Sequence, residues 1–137
     1  MDEHARRLVK CKHFRWIPGT LSVTDRYGKR TWNRVVGWMG DADIGEGGAI
    51  FFNMYEPELL DVVNDLYWPD LTDPATLGCL LHLVREAYKD PTIHVQFYEE
   101  KWRIAYWNPD NFFWAFWPET YHDTEAEALV AALEAVP

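Results

Sequence analysis

The sequence predicts an α+β fold: a two-layer domain in which two helices, about 73–89 and 124–135, pack on one face of an antiparallel sheet. Three observations predict it. Two segments carry apolar residues at helical spacing behind capping signals, three consecutive segments after Asp90 read as strands joined by turn residues, and the first half breaks into short apolar runs between Gly and Pro.

Taken in order, Asp2 to Cys11 reads as a short helix with Leu8 and Val9 inward, ended before Pro18-Gly19. Leu21 and Val23, then Trp32, Val35 and Val36, flank Asp25-Arg26-Tyr27-Gly28, a hairpin in which Gly28 supplies the positive φ of a tight turn. Met39 to Gly48 sets four glycines beside Asp41, Asp43 and Glu46 and reads as an acidic loop. Ala49 to Tyr55 reads as a strand, Pro57 interrupts, and Leu59 to Leu66 carries no decisive pattern.

Asp73-Pro74 is the strongest local signal, because Asp73 can accept at an N-cap while Pro74 fills the first helical position, where its missing N–H costs nothing. Leu77, Leu80, Leu81, Val84 and Tyr88 then form one apolar stripe, with His82, Arg85, Glu86 and Lys89 outward and Asp90-Pro91 as the stop. Thr92 to Tyr98 alternates, with Ile93, Val95 and Phe97 on one face and His94, Gln96 and Tyr98 on the other. Glu99-Glu100-Lys101 makes the turn into Trp102 to Trp107, and Asn108 to Asn111 makes the next, into Phe112 to Trp117. That last segment is aromatic on both faces, and a two-layer domain cannot bury all of its rings. Thr124 to Glu127 forms a capping box ahead of a helix with Ala126, Leu129, Val130 and Leu133 inward.

A chain of 137 residues, 48% apolar and with eight Trp, supports a single domain over 1–137 and excludes general disorder. The start lacks the apolar run of a signal peptide, and no segment approaches a membrane span, which assigns the chain to the cytoplasm. Cys11 and Cys79 are too few and too distant for a disulfide framework. The charge is split by position: nine of the 13 basic residues precede Val35 and 19 of the 22 acidic residues follow it, within a net charge of −9.

Trp16-Ile17-Pro18-Gly19, the run Pro69 to Leu81, Leu83-Val84-Arg85-Glu86-Ala87 and the ending Glu125 to Ala135 resemble a group of small uncharacterised bacteriophage and prophage proteins. The motifs cover about a third of the chain and lie mostly on the two helices, so they read as scaffold. The resemblance implies a phage context, hence the cytoplasm of a host cell, and carries over no catalytic residue.

Cys11 with His13, and Cys79 with His82, have ligand-like spacing, but four zinc ligands at conventional spacing are absent. Asp41, Asp43 and Glu46 do not complete a calcium loop. His122-Asp123 lacks a nucleophile tied to it by sequence, and Asp123 is equally a helix-leading cap. No catalytic residue and no cofactor is assigned. The favoured expectation is a non-catalytic binding protein, an acidic inhibitor or modulator that docks on a basic surface of host nucleic-acid machinery such as RNA polymerase or a CRISPR effector. Asp41, Asp43, Glu46, Asp61, Asp65 and Asp70 would supply the charge, with Trp68, Trp107 and Trp117 as anchors. The alternatives are nucleic-acid binding through the basic first third, with Phe14, Trp16, Tyr27 and Trp32 as stacking platforms, and a structural or accessory role through self-association of the aromatic strand.

Overall fold

The structure, a computed structural model, describes residues 2–26, 28–39, 48–52, 58–61, 67–110, 113–116 and 121–137. The α+β class holds. Among these residues the strands divide into two antiparallel sheets of five and three, and three helices accompany them. The elements are α1 (Glu3–Lys10), β1 (Leu21–Arg26), β2 (Lys29–Met39), β3 (Gly48–Phe52), β4 (Glu58–Asp61), β5 (Tyr67–Pro69), α2 (Pro74–Tyr88), β6 (His94–Tyr98), β7 (Lys101–Asn108), β8 (Phe113–Phe116) and α3 (Glu125–Glu134). No described helix is long and apolar enough to cross a membrane. By its contacts the chain divides into two compact units, Arg15–Cys79 and Asp2–Phe14 with Leu80–Pro137, the division falling within α2.

In the first unit the hairpin forms as the turn residues predict: β1 and β2 pair from Leu21↔Arg34 to Arg26↔Lys29, and Gly28 sits at φ 71°. The sheet order is β4-β3-β2-β1-β5, with a register shift between Val35 and Gly37 where β2 meets β3. Strand β5 has no signal in the sequence, since it is three residues long and ends in proline; Pro69 fits because β5 is the sheet edge. Val23, Val35, Tyr67 and Trp68 are buried, and so are Thr20, Ser22 and Thr24 on the alternate positions of β1 and its lead-in. Their three hydroxyls have no hydrogen-bond partner among the described residues, so β1 is covered on both faces at a polar cost.

Helix α2 starts where its cap predicts. Asp73 Oδ2 accepts from Thr76 N at 2.8 Å and from Thr76 Oγ1 at 2.9 Å, and Leu21 N donates to Thr76 Oγ1 at 2.9 Å, tying the helix start to β1. The helix ends in a Schellman arrangement, with Asp90 N donating to Arg85 O, Lys89 N to Glu86 O, and Lys89 at φ 54° in the place glycine usually takes. The apolar stripe is rotated from the predicted one. Leu80 and Val84 are buried as expected, but Leu83 and Thr76 join them, while Leu77, Leu81 and Tyr88 are half-buried. Arg85, expected to face water, is half-buried and donates to Ile93 O at 2.7 Å.

In the second unit α3 lies against β7 and β6, and α1 lies against α3. Ala126, Leu129, Val130 and Leu133 are buried as the periodicity requires, and Ala128 and Ala132 are buried beside them. The capping box forms with one change: Thr124 Oγ1 accepts from Glu127 N, while the Glu127 side chain reaches back to Asp123 N instead of Thr124 N. In α1, Asp2 caps His4 N at 2.7 Å, and Leu8 is buried with Ala5, whereas Val9 is only half-buried. The sheet order is β6-β7-β8, and Ile93, Ile104 and Ala105 are buried. Phe97, expected inward with Ile93, is 61% exposed because it lies at the far end of β6. The β6–β7 connection is a two-residue turn with Glu99 at φ 49° and Glu100 at φ 64°, the type I′ geometry that Asn-Gly normally supplies.

Replacing Asp73 with alanine removes the α2 cap and the acceptor of an arginine fork, and is expected to lower stability by about 2 kcal/mol, read as a lower urea midpoint. The pair E99N/E100G relieves two left-handed non-glycine residues and is expected to raise stability by about 1 kcal/mol in the same assay.

Candidate functional site

On β2, alternation brings Arg30, Trp32 and Arg34 to one face. Each meets a carboxylate. Arg30 forms a two-point fork on Asp25 at 3.1 Å, the Trp32 indole N–H donates to Asp70 Oδ2 at 3.2 Å, and Arg34 reaches Asp73 Oδ2 at 2.5 Å and Oδ1 at 3.2 Å. Arg34 also donates to Gly19 O at 2.9 Å. The Arg34 guanidinium and the Thr76 donors hold the Asp73 carboxyl below its ordinary value. Gly19 is at φ 102°, and a Cβ there would stand 3.1 Å from Cys79 Sγ, which contacts Pro18 O at 3.5 Å. Two of the sequence motifs, Trp16 to Gly19 and Pro69 to Leu81, are therefore neighbours in space.

In the second unit Arg7 pairs with Glu134, Lys101 with Asp123, and His4 Nε2 lies 3.2 Å from Glu127 Oε1. Four cations, Arg7, Arg30, Arg34 and Lys101, are thus engaged by the chain's own carboxylates. A phosphate-tracking surface needs such heads available to the backbone of a nucleic acid. Arg6, Lys10, Lys12 and Lys29 remain exposed.

Of the residues singled out from sequence, Asp41, Asp43, Glu46, Asp65 and Trp117 lie outside the described residues, and Asp61 is placed only as the last backbone position of β4. Asp70 is committed locally: Oδ1 accepts from Thr72 N at 2.9 Å and from Thr72 Oγ1 at 2.6 Å, and Oδ2 accepts from Trp32. Trp68 is 8% exposed and belongs to the core of its unit, which corrects its assignment as an anchor. Trp107 is half-buried, its backbone N–H donating to Thr92 Oγ1 at 2.9 Å. These positions do not assemble into one described surface.

The exposed rings lie elsewhere. Besides Phe97, Trp32 is 51%, Tyr98 46% and Tyr121 51% exposed. At the β6–β7 tip the Phe97 and Trp102 rings pack tilted at 5.1 Å, and the Arg103 guanidinium sits 4.2 Å over the Tyr98 ring. Gln96 Oε1 accepts from Arg103 Nε at 3.3 Å and Nη2 at 3.2 Å, and Gln96 Nε2 lies 2.9 Å from His94 Nε2. The alternation of Ile93, Val95 and Phe97 pointed inward; the distance of Phe97 from the strand centre was the available signal that its ring would outrun the core.

Cys11 Sγ lies 3.7 Å from Leu133 O, and His82 sits beside Glu86 at 3.4 Å. Among the described residues no group of three or more His, Cys, Asp and Glu is arranged to hold a metal. Asp123 goes to Lys101, while His122 bridges its backbone to Trp102 with two 2.8 Å bonds. Burial lowers the His122 imidazole below 6.5, outweighing Glu127, while His4 and Arg7 oppose its protonation as well. No family model, no curated protein and no solved structure matches the chain.

The shifts of His122 and Asp73 each contribute to the acid limb of stability. A lowered His122 means that the unfolded chain takes a proton more readily, so its contribution to stability is full above 6.5 and is lost as pH falls from there toward the folded value. The lowered Asp73 adds a second contribution to stability, present above 3.8 and lost as pH falls through its own folded value. In a urea series from about pH 8 to about pH 5, H122N is expected to flatten the decline and D73N to leave it in place.

Proposed function

We propose that this chain is a non-catalytic binding protein that docks on a basic surface of a nucleic-acid-processing protein. The observation that carries the reading is the internal engagement of Arg7, Arg30, Arg34 and Lys101. Each of these pairs consumes one cation and one anion, so the net charge of −9 stays on the remaining groups. A molecule so charged is repelled by phosphate backbones and attracted to the basic grooves that bind them. Exposed Trp32, Phe97, Tyr98 and Tyr121 supply the apolar contacts that long-range attraction alone cannot. The phage resemblance of the motifs makes host RNA polymerase or a CRISPR effector the partner class to test, with inhibition or redirection of it as the outcome of docking.

The test is a tagged pulldown from host lysate, with and without nuclease, followed by an affinity series on the captured subunit. Recovery of a stoichiometric protein that survives nuclease is expected, with D41K/D43K/E46K weakening it by about ten-fold or more at low salt. Capture that disappears with nuclease, or an affinity indifferent to the charge reversal, overturns the reading.

A further inference from the structure

We infer that the tip of the β6–β7 hairpin is a docking contact and that its occupant is an arginine- or lysine-rich segment of a partner protein, an inference that rests on the binding-protein reading above. Phe97 and Tyr98 are consecutive in β6, so their rings project from opposite faces of the hairpin, and they are 61% and 46% exposed. Neither ring is loose. Phe97 is held against Trp102 at 5.1 Å, and Tyr98 lies under Arg103, itself fixed by two hydrogen bonds to Gln96. Rings already positioned lose little side-chain freedom when a partner covers them.

Charge selects the occupant. The cations of the hairpin are engaged, Lys101 by Asp123 and Arg103 by Gln96 and the Tyr98 ring. The turn residues Glu99 and Glu100 are exposed, and their carboxylates have no partner among the described residues. Two unbalanced carboxylates at the turn that directly follows an exposed aromatic ring on each face match side chains with a long apolar stem and a cationic head, the stem suited to a ring and the head to a carboxylate. A phosphate backbone meets like charge at the same place. So does a second copy of this chain, which brings its own glutamates and a net charge of −9.

The turn variant gives a clean test, because E99N/E100G removes both charges while supplying the residues that a type I′ turn prefers. Binding of a fluorescein-labelled nona-arginine peptide to the full chain is followed by anisotropy at about 0.15 M salt. E99N/E100G is expected to weaken binding by about ten-fold and F97S by about five-fold. E3Q/D110N, which removes the same formal charge at two other exposed carboxylates, is expected to stay within about two-fold of wild type. Equal losses in E99N/E100G and E3Q/D110N overturn the hairpin site and leave a diffuse acidic surface, with the binding-protein reading intact. No binding by the wild-type chain removes the basic partner and that reading together. A wild-type dimer that sedimentation shows to dissociate in F97S assigns the tip to self-association instead.

Discussion

The junction between sheet and helix in the first unit depends on one carboxylate. Asp73 caps the first turn of α2 through Thr76 and receives the Arg34 fork from β2. Thr76 passes the connection on by accepting from Leu21 at the start of β1, and Arg34 passes it on by donating to Gly19. Four segments therefore take their position from a group whose charged form is favoured by every partner it has. The partly buried setting matters: Asp73 is shielded enough for the fork to exceed the small worth of a surface pair, yet it remains fully bonded and so avoids the cost of an isolated buried charge. This arrangement also gives the motifs a physical meaning. A side chain at Gly19 would press on Cys79, so the Pro18-Gly19 turn and the Cys79 side chain of α2 are fitted to each other.

Helix termini were legible in the sequence because capping is local chemistry. Asp73-Pro74 and Thr124 to Glu127 placed two helices to within a residue or two, and the Glu127 reach to Asp123 instead of Thr124 is a difference of one backbone N–H. Burial was less legible. Periodicity marks a stripe but not its centre, so Leu83 was missed in favour of Leu81. Nothing in the alternation with Leu21 and Val23 marks Thr20, Ser22 and Thr24 as buried, yet both faces of β1 are covered. Strand β5 could not be seen at all: three residues ending in proline acquire strand geometry only from the partner beside them.

The charge split along the chain is partly closed by pairing in space. A basic first third and an acidic remainder suggest two separate electrostatic surfaces, but position along the chain is not position in space. Arg34 finds Asp73 39 residues on, and Arg7 finds Glu134 127 residues on. The cations before Val35 that pair in this way balance carboxylates of the same molecule, whereas the imbalance of the whole molecule cannot be folded away. The acidic residues proposed from sequence were chosen from that imbalance. Asp70 shows why choice by charge alone fails, since its carboxylate is spent on Thr72 and the Trp32 indole.

Strain by itself does not mark the hairpin tip as special. Two non-glycine residues in the left-handed region cost about 1–2 kcal/mol each, while each unpaired buried hydroxyl of Thr20, Ser22 and Thr24 costs about 1–3 kcal/mol, so the larger expense lies inside the sheet. What separates the two places is what water can reach. The hydroxyl row is closed off and offers nothing to a partner, whereas the tip sets exposed, already packed rings beside carboxylates that nothing described balances. Asn-Gly at the turn would relieve the backbone and delete the charge in one step, so strain and charge are carried by the same two side chains.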